Sequence, residues 1–164
     1  MSKTLLGIMM AINLTDGQCM DEACELLSKV IAEHGLQESV GIAAINASNQ
    51  LVISGKSSAV KMIQESLAFS MKQLSHINCA FHSPLMRRAS EAFPLIAKSI
   101  LEKFIPNASV ISNLTGLPYA SDSDLCRSLS LQISNTVQWH ATIKHLLSRD
   151  YRTFAIMGPP SQRQ

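Results

Sequence analysis

Charged residues are scarce in this chain of 164 residues, because Asp, Glu, Lys and Arg together make up only 16% of it. An average globular protein has about 25%. Apolar residues account for 46% of the sequence. A disordered chain has the opposite balance, so disorder is excluded. The composition predicts a well-buried α/β core, or a chain whose apolar surface is covered by a partner.

The sequence also lacks a strong charge of either sign and a long apolar run. Its 14 basic and 12 acidic residues leave a formal net charge of +2. No cluster of Lys and Arg is interleaved with aromatic residues, as in a nucleic-acid-binding protein. The longest apolar stretch, residues 5–14, is half of the ~20 residues that a membrane-spanning helix needs. We therefore expect neither nucleic acid nor a membrane as a partner.

Cysteine and glycine are both too sparse for several kinds of site. The four cysteines contain no C-x-x-C pair, and His140 and His145 are wrongly spaced to share a metal, so no metal site is predicted. The cysteine pattern also predicts a reducing, cytoplasmic setting. No two of the seven glycines are four positions apart. This excludes a G-x-S-x-G nucleophile elbow within the sequence and a glycine-rich dinucleotide site.

Apolar periodicity in the first half predicts a ferredoxin-like unit. The predicted elements are, in order, a strand over 7–14, a helix over 17–34 capped by Asp16, strands over 40–46 and 51–54, a helix opening at Gly55, and a strand over 75–81. A strand, helix, two strands, a helix and a strand form the split βαβ arrangement.

The second half has a different pattern, in which helices alternate with strands. Ser83 and Pro84 predict the start of a helix, with a kink or break at Pro94 and a core face made of Leu85, Ala89, Ala92, Ile96 and Ile100. Further predicted elements are a strand over 109–113, helices over 123–134 and 137–148, and a strand over 153–157. This alternation is typical of a parallel α/β sheet. Two parallel strands are too few for a sheet, so we expect a piece of a larger unit.

Several segments resemble the motifs of one enzyme family in order and spacing. They are Gly7-Ile-Met-Met-Ala, the stretch 44–55 (AINASNQLVISG), Cys79-Ala-Phe-His-Ser-Pro-Leu-Met86, Val110-Ile-Ser-Asn-Leu-Thr-Gly116, Gln132-Ile-Ser-Asn-Thr-Val-Gln-Trp139 and Met157-Gly-Pro159. The chain thereby resembles the malonyl-CoA:acyl-carrier-protein transacylases and the acyltransferase domains of polyketide synthases. The resemblance implies a ferredoxin-like small subdomain over 7–81. It also implies that 82–164 is the C-terminal part of an α/β-hydrolase-like acyltransferase core whose N-terminal part is absent.

The resemblance also implies a reaction. In this family a serine in an elbow attacks the malonyl-CoA thioester, and the acyl group then passes to the phosphopantetheine thiol of an acyl carrier protein. That serine, an oxyanion-hole glutamine and an arginine for the malonyl carboxylate lie upstream of the matched region. We therefore expect the chain to be inactive alone, with the missing N-terminal half as a further possible partner. No cofactor is expected besides these thioester carriers.

Five residues of this sequence take roles from the resemblance. His82 would be the general base, a task suited to an imidazole near neutral pH, and the backbone carbonyl of Gln132 would hold its ring in one tautomer. Phe81 would exclude a branched acyl group, since an aromatic residue before the histidine goes with malonyl in the polyketide branch. Asn46 and Gln50 would face the acyl pocket.

The sequence departs from the family at Thr136, where proline is usual, at Cys79, and after residue 160. Arg87 and Arg88 could lie at the mouth of the site or form a solvated first helical turn. The alternative function is a non-catalytic fragment that binds an acyl carrier protein or the missing half. The motifs do not distinguish a fatty-acid enzyme from a polyketide enzyme.

Overall fold

The computed structural model describes residues 7–101, 107–120 and 122–157. Its elements, in chain order, are β1 (Gly7–Asn13), α1 (Met20–Glu33), β2 (Val40–Ala47), β3 (Gln50–Lys56), α2 (Ser57–Ser66), β4 (Ser70–Gln73), a 3₁₀ turn (Pro84–Met86), α3 (Arg87–Leu101), α4 (Asp122–Gln132) and α5 (Trp139–Ser148). The closing Gly158-Pro159 motif lies outside the described residues.

Four antiparallel strands form the sheet, in the order β2-β3-β1-β4. The two central strands, β1 and β3, are paired along their whole length from Gly7↔Lys56 to Asn13↔Gln50. This order, with α1 and α2 as the two crossovers, confirms the predicted ferredoxin-like unit and the α/β class.

One face of the sheet and helices α1 and α2 enclose the main core. Side chains alternate along a strand, so Ile8, Met10 and Ile12 of β1 all point to this side. Leu27 of α1 and Val60 of α2 meet them there, both completely buried. This core fixes which face of the sheet is left for the site.

The opposite face of the sheet carries a smaller cluster. Met9, Ala43 and Val52 are buried there, and Leu74 and Ile77 pack against them. The segment that follows β4 therefore crosses this second face on its way to the histidine motif.

Two predicted boundaries in the first half are wrong. Helix α1 begins at Met20 after Cys19, and no side chain caps its first turn, so Asp16 is not its cap. No strand runs over 75–81, because β4 ends at Gln73 and the chain turns directly afterwards, where the Ile77 amide donates to the Leu74 carbonyl over 3.0 Å. The alternation that forms β4 starts earlier, with partly buried Phe69 and Met71 packed on the main core.

Both strands predicted in the second half are also wrong. Residues 109–113 form only an isolated bridge between Ile111 and Pro118, because the segment folds back on itself and the Ser112 amide donates to the Leu117 carbonyl over 2.8 Å. Residues 151–157 have no regular structure. A strand needs a neighbour to exchange backbone hydrogen bonds, and none of the four strands in the described part of the chain lies beside this segment.

Helix α3 runs from Arg87 to Leu101 with Pro94 inside it, so the helix does not break at Pro94. Its predicted core face is exposed to solvent: Ile96 is 74% and Ile100 68% exposed. The buried side is instead the one that carries Ser90, because this side packs along α4.

Candidate functional site

His82 lies in a turn that is held against the start of β1. Its φ is 56°, a left-handed conformation that is uncommon in non-glycine residues but several-fold enriched in Asn, Asp and His. Buried Ser83 donates its hydroxyl to the Ala80 carbonyl over 2.7 Å and closes the turn. Ala80 packs so closely on Gly7 that a methyl group there would collide with the Ala80 backbone. The backbone thus fixes where the half-buried imidazole can point.

The last residue of α4 contacts this imidazole. Nδ1 of His82 lies 2.7 Å from the carbonyl oxygen of Gln132. The final carbonyls of a helix have no partner within the helix, so this oxygen can accept a hydrogen bond from elsewhere. A carbonyl only accepts, which places the proton on Nδ1 and leaves Nε2 of the neutral ring able to take up another proton.

The segment after α4 attaches to the edge of the sheet and so keeps Gln132 in place. The Val137 amide donates to the Ala43 carbonyl, and the Ile45 amide donates to the Val137 carbonyl, each over 2.9 Å. The hydroxyl of Thr136 donates to the Ile42 carbonyl over 2.7 Å. Residues 136–137 therefore act as a short parallel addition to β2.

Asn46 and Gln50 belong to a row of amide side chains across three neighbouring strands. Asn46 Nδ2 donates to Gln50 Oε1 over 3.1 Å, and Gln50 Nε2 donates to Asn13 Oδ1 over 2.9 Å. Asn13 was not predicted from the sequence. Asn13 is placed next to Gln50 by the pairing register of β1 and β3, and that register cannot be read from the sequence alone.

Two open clefts meet at this amide row. One, of about 500 Å³, is also lined by Lys72 and His76. The other, of about 550 Å³, is also lined by Val137 and Trp139. Asn46 and Gln50 line both of them.

The His82 turn and the amide row lie at different ends of β2. Pro84, two residues after His82, approaches Gly41, where an added Cβ would lie 3.3 Å from Pro84 Cδ. Asn46 is five residues further along the strand, or about 17 Å at 3.3–3.4 Å per residue. Neither cleft includes His82 or Phe81 among its described lining residues. The structure therefore brings His82 to Gln132, and Asn46 to Gln50, as two separate pairs.

The remaining predicted residues lie near the histidine turn. Phe81, the residue before His82, is 46% exposed, so its side chain is open to solvent. The Arg87 guanidinium binds both carboxylate oxygens of Glu38, over 2.8 and 3.1 Å, and this hydrogen bond and charge raise its pKa. Arg87 thus joins the start of α3 to the loop after α1.

Other reactive groups do not converge. All four cysteines are free, and burial, helped by the Asp21 carboxylate, raises the pKa of the Cys24 thiol. Within the described ranges, no three His, Cys, Asp or Glu residues are placed to hold a metal ion. No helix in that part of the chain is long and apolar enough to cross a bilayer.

Several curated proteins and solved structures similar to this chain are named malonyl-CoA–acyl carrier protein transacylases or polyketide synthase acyltransferase domains. The chain is 31% identical over 142 residues to a polyketide-biosynthesis malonyl-CoA–acyl carrier protein transacylase from Bacillus subtilis, a match that covers 82% of this chain and 47% of that protein. No protein-family profile matches the sequence.

The fold leads to the same group of proteins. A malonyl-CoA–acyl carrier protein transacylase from Burkholderia pseudomallei has a TM-score of 0.69 and 30% identity, over 91% of this chain and 49% of that one. The acyltransferase domain from the second module of the salinomycin polyketide synthase has a TM-score of 0.68 and 28% identity, over 88% of this chain and 32% of that one. The chain thus spans about half the length of the curated transacylases it matches.

Proposed function

We propose that this chain, whose homologues are malonyl-CoA–acyl carrier protein transacylases and polyketide synthase acyltransferase domains, provides the histidine-bearing part of a malonyl transferase. The complete site would move malonyl from coenzyme A to the phosphopantetheine thiol of an acyl carrier protein. We place it in the cytoplasm, without a cofactor other than these two thioester carriers. The units 7–81 and 82–164 would be the small subdomain and the C-terminal part of the large one.

The observation that carries this proposal is the contact between His82 and Gln132. A general base needs one ring nitrogen with a free lone pair and a fixed ring orientation. The Gln132 carbonyl, 2.7 Å from Nδ1, supplies both, as a carboxylate does in a serine–histidine–aspartate triad. Unlike a carboxylate, it carries no formal charge, so the ring is oriented by a dipole alone.

The proton then moves in a balanced cycle. Nε2 of His82 takes the proton of a serine hydroxyl as its oxygen attacks the malonyl thioester, and gives it to the departing sulfur of coenzyme A. In the second half, Nε2 takes the proton of the carrier's thiol as that sulfur attacks the ester, and returns it to the serine oxygen. The serine belongs to the part of the relatives that this chain does not cover, and this chain contributes the base.

The other predicted residues receive binding roles. Phe81, half exposed next to the base, would lie against the α-carbon of the acyl group. The amide row of Asn46 and Gln50 offers hydrogen-bond donors and acceptors to a polar chain in the clefts beside it. The net charge of +2 would favour an acidic carrier protein mainly through the association rate.

The test is a covalent fusion. The part of the Bacillus subtilis transacylase that precedes its matched region is joined to this chain, and malonyl transfer to an acyl carrier protein is measured. His82→Ala should lower the transfer rate by ~10²–10⁴, the usual contribution of a general base. His34→Ala is the matched control, since His34 lies at the end of α1 and its ring is within hydrogen-bond distance of the Val30 carbonyl of the same helix.

A fusion that transfers malonyl equally well with and without His82 would remove this residue from the mechanism. A folded fusion that binds the carrier protein but forms no malonyl-enzyme would favour the alternative, a binding fragment without catalysis.

A further inference from the structure

Ser54 of β3 carries a hydroxyl that is completely buried and has no hydrogen-bond partner among the residues that the structure describes. Two other buried serines, Ser83 and Ser90, each donate to a backbone carbonyl. A buried hydroxyl normally has at least one partner, which is either a protein group or an ordered water. The surroundings of Ser54 therefore have to supply a partner.

The strand register places Ser54 on the face of the sheet that is opposite the main core. Ser54 pairs with Met9 of β1 on one side and with Gly41 of β2 on the other. Residues directly opposite each other in an antiparallel pair share one face of the sheet. Met9 belongs to the smaller cluster on the second face, so the Ser54 hydroxyl also points to that face.

The turn that carries His82 crosses this second face from β1 to β2. Ala80, before the histidine, packs on Gly7 of β1, and Pro84, after it, approaches Gly41 of β2. In the sheet, β3 lies between these two strands. The backbone between Ala80 and Pro84 therefore passes over β3.

Ser54 is the completely buried residue of β3 at this crossing, because it lies directly opposite Gly41. The 3₁₀ turn Pro84–Met86 contacts β3 as well as β2. Since Gly7 and Gly41 have no side chains, the backbone of the histidine turn comes close to the sheet on both sides of β3. The Ser54 hydroxyl thus faces that backbone and is shielded from solvent.

The histidine turn has oxygen atoms that can accept a further hydrogen bond. The Ser83 hydroxyl is completely buried and uses its only proton in the 2.7 Å bond to the Ala80 carbonyl. Hydroxyl and carbonyl oxygens each have two lone pairs, so both atoms still have accepting capacity. Ser54 Oγ bonds to neither of them directly. A buried water can join such groups, since it typically makes about three hydrogen bonds to buried polar atoms.

We propose that Ser54 is a positioning residue for His82 and acts through one buried water between β3 and the histidine turn. The water accepts a hydrogen bond from the Ser54 hydroxyl and donates to the Ser83 hydroxyl oxygen and the Ala80 carbonyl. A left-handed φ such as the 56° of His82 persists only where the surrounding structure holds it, and the bridge contributes to that. The role in positioning a base rests on the proposed function, whereas the bridge itself does not.

Hydrogen–deuterium exchange of the full chain tests the bridge without catalysis. Ser54→Ala removes the hydroxyl, and Ser54→Cys replaces it with a thiol, which is only a weak donor. In both variants the amides of residues 80–87 should exchange about three- to tenfold faster, which corresponds to the loss of one net hydrogen bond. A crystal structure of the chain should show an ordered water about 2.5–3.0 Å from Ser54 Oγ.

The matched control is Ser28→Ala on α1, where an exposed hydroxyl donates to the Cys24 carbonyl of the same helix over 2.7 Å. It should leave the exchange of residues 80–87 unchanged, and an equal effect of this control would overturn the proposal. Unchanged exchange and equal or higher stability in Ser54→Ala would also overturn it, because removing a truly unpaired buried hydroxyl removes its desolvation cost. So would wild-type exchange in Ser54→Cys, which would indicate packing, or a crystal structure without the water.

The active fusion separates positioning of the base from stability of the turn. Ser54→Ala should lower kcat for malonyl transfer about three- to tenfold with KM unchanged, since the orientation of the base matters in the transition state. If the exchange is faster but kcat is unchanged, Ser54 does not position the base. Faster exchange together with a fusion that transfers no malonyl contradicts the proposed function alone. Unchanged exchange in a fusion whose rate depends on His82 contradicts the bridge alone.

Discussion

At the scale of the residue, His82 combines an unusual backbone with an ordinary hydrogen bond. A left-handed φ costs a non-glycine residue roughly 1–2 kcal/mol, and the buried Ser83–Ala80 hydrogen bond holds the turn in that conformation. Most replacements at this position therefore change the turn as well as the ring. His82→Asn is the substitution that keeps the backbone preference while removing the imidazole.

Phe81 carries a prediction about substrate choice. In the active fusion, Phe81→Ser should lower the ratio of kcat/KM for malonyl-CoA to that for methylmalonyl-CoA by tens to a few hundred-fold. The reason is steric: excluding one methyl group from an apolar pocket is worth ~1–3 kcal/mol. Competition between the two thioesters measures the ratio directly. If the ratio does not change, Phe81 only covers the protein surface at this point.

At the scale of the element, the short edge addition at residues 136–137 supports the end of α4. Thr136→Val keeps the shape of the side chain but leaves the Ile42 carbonyl without its 2.7 Å donor. We expect a loss of about 1–2 kcal/mol in the free energy of unfolding, the cost of breaking one partly buried hydrogen bond. Urea denaturation measures it. Thr15→Val, at an exposed hydroxyl, should change stability by less than about 0.5 kcal/mol.

Sequence periodicity predicted the elements that carry their own packing partners. Helices α1 and α2 and the β2–β3 hairpin form one core with β1. The apolar pattern of each element therefore matches the face that it buries in that core. The apolar run over 153–157 also predicts a strand, but that strand needs a neighbour that the described part of the chain does not contain. The predicted core face of α3, which carries Ile96 and Ile100, is exposed for the same reason. Its apolar periodicity indicates that this face is suited to burial, but α4 packs on the other side of the helix.

The site was less predictable than the fold. His82 and Gln132 are 50 residues apart, and only the family motifs, not composition or spacing, indicated that they could meet. Their roles remain predictions until the fusion is tested. Asn13 joins Gln50 through strand register, which a single sequence does not reveal.

At the scale of the whole molecule, stability should be uneven. The central strands β1 and β3 are hydrogen-bonded to each other and carry side chains of the main core. Their amides should therefore exchange with solvent only through global unfolding. Amides of residues 153–157, which are in no helix or strand, should exchange within seconds to minutes. Hydrogen–deuterium exchange with peptide resolution measures both. Strong protection of 153–157 in the isolated chain would mean that this segment is already paired.

The contact between α3 and α4 has a mechanical consequence. On the inner side of α3, the Ser90 hydroxyl donates to the Ser130 carbonyl of α4. Two residues further along α4, the Gln132 carbonyl oxygen contacts the ring of His82. Packed helices move as solid bodies and switch between discrete arrangements rather than bending smoothly. We therefore expect that a displacement of α3 would move the Gln132 carbonyl and, with it, the ring of His82.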